Sequence, residues 1–122
     1  MRTHRWAILL GVSYPVGLAL TLGVELPLVL AVAHAVECGT RRTTLVALAA
    51  NLLTHPLLWF VVAPWADDHL GITGVLLAEG GVVVVEATVY TFGLRPRIGA
   101  WLAVWLALLA NAASLAVGIM VL

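Results

Sequence analysis

Glu25, Glu79 and Glu86 are each embedded in a long run of apolar residues. An acid in the middle of a membrane helix costs on the order of 2.5–3.5 kcal/mol on insertion scales, and more when charged and unpaired. Three together cost roughly 8–10 kcal/mol on the same scale. Such groups face a bundle interior or a wet cavity, where they pair or hold a proton. The chemistry this allows is binding and release of a proton or a small cation. The plainer account is a protonated carboxyl that locks one helix to another.

Spacing supplies partners. Glu86 follows Glu79 by close to two helical turns, so the two share a face about 10 Å apart. Tyr90 lies one turn beyond Glu86 on that face. Asn51, Thr54 and His55 stand together on another apolar stretch, with Asn51 and His55 one turn apart. Pro56 follows and leaves the carbonyl of Leu52 without its helical donor, as Pro27 does for Gly23 beside Glu25. Backbone breaks beside polar residues point to binding sites in transporters. The alternative is a packing kink whose freed carbonyl is satisfied by a nearby Thr or Asn. Asn111 and Ser114 repeat the Asn-x-x-Thr/Ser pattern near the end of the chain, and the plain role of that pattern is to bond helices together. The expected proton- or cation-binding groups are therefore Glu25, Glu79, Glu86 and His55. Asn51, Thr54, Asn111, Ser114 and Tyr90 are expected to support them.

Other chemistries find less. Carboxylates, an imidazole and amide oxygens are possible ligands for a divalent metal, but their spacing matches no recognised signature, and the metal question stays open. His34 and Glu37 are three residues apart near the end of the first apolar stretch, where a surface link to Arg41 is the simple reading. Cys38 is the single cysteine, so no internal disulfide and no Cys-x-x-Cys pattern exists. No nucleophile–base pair and no phosphate loop is legible. Neither an enzyme activity nor a cofactor is expected.

Composition dictates what must position these groups. The chain has 122 residues, 63% of them hydrophobic and 10% charged, with a mean hydropathy of +1.11. An ordinary soluble domain is about 25% charged. A disordered chain and a soluble globule are both excluded. Six arginines balance six acids and lysine is absent, so no nucleic-acid partner is expected. The expected architecture is an all-α integral membrane protein, a single transmembrane domain over 1–122. It should be a four-helix bundle with spans near 6–36, 44–62, 70–92 and 98–121. The basic residues before the first apolar run resemble the start of a signal peptide, but the run is too long, and an uncleaved first span is expected. The unbroken apolar run over 101–109 lacks the alternation of a β-barrel strand. Turns are expected at 38–42 and 93–97. A polar loop is expected at 63–69, where Pro64, Asp67 and Asp68 should stop a membrane helix.

Arginine placement suggests an orientation. Arg41, Arg42, Arg95 and Arg97 fall on one side, Arg2 and Arg5 on the other. The richer side belongs in the cytoplasm, which puts both termini outside a cell (inner) membrane. Trp6 and Trp65 should sit at the outer interface and Trp101 at the inner one. A weak internal repeat pairs Glu25 and Asn51-x-x-Thr54 with Glu79 and Asn111-x-x-Ser114. It implies two helical hairpins of the same orientation, related by an axis along the membrane normal. Chance matching in a sequence of few residue types is the competing account.

The functional expectation is movement of a proton or small cation through a polar intramembrane centre. The other class is a non-catalytic scaffold or accessory subunit whose buried polar residues only hold helices together. Four helices enclose little space, and Ala47, Ala50, Ala110, Ala113 and Gly118 permit close helix approach. A homodimer or higher homo-oligomer within the lipid bilayer is expected.

Overall fold

The computed structural model describes residues 14–121. Expectations at Arg2, Arg5 and Trp6, and the beginning of the first span, lie outside the described residues. The described residues are helical throughout, apart from short turns, and contain no strand. Three helical stretches are long and apolar enough to cross a membrane: Tyr14–Ala35, Thr40–Leu94 and Ala100–Val121. The first is α1 (Tyr14–Ala35). The second contains α2 (Thr40–Leu57), a π-helical turn (Leu58–Val62) and α3 (Ala63–Leu94). The third is α4 (Ala100–Val121).

The loop expected at 63–69 is helical instead. Pro64 lies just after the π turn, at the start of α3. The π turn directly before it widens the backbone and removes the clash that an interior proline would make. Asp67 and Asp68 therefore ride on a helix. The break comes at Gly71, with φ 63° and ψ −151°, a conformation almost confined to glycine. Beyond it the chain doubles back. A Cβ on Gly74 would lie 2.6 Å from the carbonyl oxygen of Ala66.

Thr40–Leu94 is thus not one rod. The later part of α3 runs antiparallel to α2. Arg42 Nε donates to the Gly93 carbonyl at 2.7 Å, and its Nη2 donates to that of Arg95 at 2.9 Å. Val46 packs so closely on Gly93 that no side chain fits there, and Thr54 meets Glu86 further along. The arginine pair expected in a turn at 38–42 lies on the first turn of α2, because that helix begins at Thr40. There Arg42 supplies the cation that the last carbonyls of α3 favour. Glu37 pairs with Arg97 at 3.8 Å rather than with Arg41. Both side chains are exposed, so the pair adds little stability.

Packing is uneven along the bundle. The buried apolar cluster gathers at the arginine end. It includes Val29 and Ala33 of α1, Tyr90 and Leu94 of α3, Ile98, and Ala103, Leu106 and Ala107 of α4. Its many alanines let the helix backbones come close. Outward-facing side chains are apolar too. Ile72, Trp101 and Met120 are 67%, 75% and 82% exposed. A surface of this kind is compatible with a multi-pass membrane protein, whose solvent is lipid.

Candidate functional site

Helical periodicity delivers the polar residues to the interior. On α1 the buried residues are Glu25, Val29 and Ala33, one turn apart. Asn51 and Thr54 continue the buried face of α2 after Ala47 and Ala50. Glu86 lies one turn before Tyr90 on the buried face of α3. Asn111 and Ser114 extend the face of α4 that holds Ala107 and Ala110. Glu25 and Glu86 are 0% and 1% exposed. Glu79 is half-buried.

Each buried carboxyl group meets a hydroxyl from the other helical hairpin. Thr54 Oγ1 lies 3.1 Å from Glu86 Oε1 and 2.9 Å from the carbonyl oxygen of Ala50. Ser114 Oγ lies 2.9 Å from Glu25 Oε1 and 3.0 Å from the carbonyl oxygen of Asn111. Asn111 Nδ2 donates to Glu86 Oε2 at 2.6 Å and to the Ala107 carbonyl at 2.9 Å. Asn51 Nδ2 donates to the Ala47 carbonyl at 3.1 Å. A hydroxyl has one hydrogen, and here each has two acceptors. A charged carboxylate takes that hydrogen. A protonated carboxyl donates to the hydroxyl oxygen, and the hydroxyl then donates to the backbone. Both protonation states are hydrogen-bonded by the same atoms.

The reciprocal pattern changes the expected repeat. Glu86, rather than Glu79, occupies the position matching Glu25. Asn51 follows Glu25 by nearly the interval at which Asn111 follows Glu86. The starts of α2 and α4 also correspond. Thr43 donates its N–H to the Gly39 carbonyl, and Ala103 donates its N–H to that of Gly99.

A cavity of about 120 Å³ adjoins these groups. Every expected site residue except Tyr90 lines it: Glu25, Asn51, Thr54, His55, Glu79, Glu86, Asn111 and Ser114. Tyr90 is fully buried in the packed end, and its hydroxyl has no hydrogen-bond partner among the described residues. The cavity runs from Glu25 and Glu86 away from the arginine end, toward Gly17, Trp59 and Gly118. Among the described residues, the arginines all lie at the opposite end, so none neutralises the three carboxylates.

The cavity is also lined by residues that the sequence reading did not place in the site, among them Gly17, Thr21, Trp59 and Gly118. Thr21 Oγ1 lies 3.4 Å from His55 Nε2. The rings of His55 and Trp59 stack at 5.9 Å, and Tyr14 packs against both. Thr21 precedes Glu25 by one turn and Trp59 follows His55 by one turn, so helical spacing was the available signal. Among the described residues, no group of three His, Cys, Asp or Glu side chains converges as a set of metal ligands. The chain matches no protein-family model, no curated protein and no solved structure.

Proposed function

We propose that the chain is a four-span membrane bundle that moves a proton or small cation through this cavity. The reversal at Gly71 supports division of the Thr40–Leu94 stretch into two spans. The observation that carries the function is the pair of hydroxyls, Thr54 and Ser114, each shared between a carboxyl group and a backbone carbonyl. That arrangement keeps each hydroxyl and the carboxyl oxygen it meets hydrogen-bonded in either protonation state, which is what a group that loads and unloads a proton requires. Glu79, half-buried on the cavity wall, is the entry group. Glu25 and Glu86 are the central acceptors, and His55 and Asn51 orient them. Tyr90, one turn beyond Glu86, supports it from the packed end beneath the cavity. The small-residue faces support a homodimer or larger assembly.

Proton flux into liposomes under an imposed potential tests this reading. Reconstituted wild-type protein should acidify the lumen, and dicyclohexylcarbodiimide, which attacks protonated carboxyls in apolar surroundings, should block it. Absence of flux in correctly folded protein transfers the chain to the second reading, a membrane scaffold. That reading is favoured by one observation: the Thr54–Glu86, Asn111–Glu86 and Ser114–Glu25 bonds all cross between helices.

The arginine count supports a cytoplasmic arginine end and outside termini. A cysteine introduced by Arg97→Cys, with Cys38→Ala, should resist an impermeant thiol reagent in intact cells and react after permeabilisation. Labelling in intact cells would reverse the orientation.

A further inference from the structure

We infer that the cavity takes a small alkylammonium ion, its N–H donated to Glu25 and its carbons lying against the apolar wall. This rests on the reading of the cavity as a cation site and names the kind of cation. The first ground is charge. Three carboxylates line the space, and no arginine among the described residues reaches it. The second is a vacancy. Ser114 serves Glu25 Oε1, while Glu25 Oε2 has no hydrogen-bond partner among the described residues, although the residue is wholly buried. A buried acceptor left open calls for a donor.

Size and wall chemistry choose the donor. A cavity of about 150 Å³ accommodates benzene. The cavity here, about 120 Å³, suits a cation of about four or five non-hydrogen atoms on the same measure. A proton or a bare inorganic ion leaves most of it unfilled. An inorganic cation of the calcium class also wants about six oxygens around it. The lining also includes Leu20, Leu58, Val82, Leu115 and Ile119, whose side chains offer no oxygen to a metal ion. The stacked His55 and Trp59 rings also line the cavity and add an aromatic surface of the kind that favours an organic cation. A trialkyl- or alkylammonium head satisfies charge, vacant acceptor, volume and wall together.

Equilibrium dialysis of the purified full chain in detergent, with radiolabelled trimethylammonium as the probe, tests the inference. Wild type should bind saturably, unaffected by equal concentrations of sodium or potassium. Tetramethylammonium, which has no N–H, should compete at least about tenfold more weakly. Glu25→Gln should lose binding at least tenfold. Gly118→Leu provides a second variant, since its Cβ enters open space on the cavity wall, and its side chain should exclude the probe without disturbing the backbone. No saturable binding to wild type overturns the inference, as does binding that survives both substitutions. Proton flux without trimethylammonium binding leaves the transport reading standing and removes this one. Binding without flux does the reverse.

Discussion

Glu25→Gln and Glu86→Gln should each lower proton flux at least about tenfold, the scale expected when a group that exchanges protons is removed, while the folded protein persists. Glutamine keeps the shape and the hydrogen-bonding capacity of the side chain but removes the titratable proton. At position 86 the amide oxygen can accept from Asn111 while the amide NH2 donates to Thr54, as a protonated carboxyl would, and at position 25 the amide can accept from Ser114, so thermal denaturation in detergent should shift little. Alanine behaves differently. Glu86→Ala leaves one Asn111 amide hydrogen without its acceptor, while Thr54 still donates to the Ala50 carbonyl, a loss of about 1–3 kcal/mol for the buried group left unsatisfied. Bonds between helices in a membrane average nearer ~0.6 kcal/mol, which sets the lower bound. Glu79→Gln should have the smallest structural effect of the three glutamine variants, because Glu79 takes no hydrogen bond among the described residues. If Glu25→Gln and Glu86→Gln retain wild-type flux, both carboxyl groups are structural and the transport reading fails.

The second large effect belongs to the reversal after α2. Gly74→Val should yield no folded protein on size exclusion in detergent. The new Cβ would sit 2.6 Å from the carbonyl oxygen of Ala66 and 2.7 Å from Cβ of Leu70. A backbone atom on the far side of a tight turn cannot move aside cheaply. Gly71→Ala should fold with reduced stability, by about 1–3 kcal/mol, because its backbone conformation admits a side chain only under strain. Gly80 and Gly81 provide the control. A Cβ on either meets nothing within 4 Å, and alanine there should hold or raise the melting temperature. A Gly74→Val protein as stable as the Gly80→Ala control would show that the chain does not turn at this place.

Much of the site was legible because burial is costly for polar groups. Glu25, Glu86, Asn51, Thr54, Asn111 and Ser114 announce themselves simply by being polar within apolar sequence. Helical spacing on each stretch then aims them inward. What the sequence hid was the partner of each. Thr54 and Ser114 reach across to the other hairpin, and no rule of local spacing reports a contact between helices. Pairing Glu25 with Glu79 compares depth within a span. The interval to the following asparagine, and the hydroxyl each carboxyl meets, pair Glu25 with Glu86 instead. The segment 63–69 misled for a different reason. Proline disrupts a helix through its ring and its missing N–H, and the π turn before Pro64 widens the backbone that the ring would meet. Paired acids limit how deep a helix lies in a membrane without ending it, and a single glycine further on makes the bend.

The Arg42 side chain holds the Gly93 and Arg95 carbonyls beside the densely filled end of the bundle, while the other end carries the cavity and the glycine bend. Local opening is opposed least where buried apolar contacts are fewest. Amide hydrogen exchange should therefore be slowest around Ala33, Tyr90 and Leu94 and faster around Trp59 and Gly118.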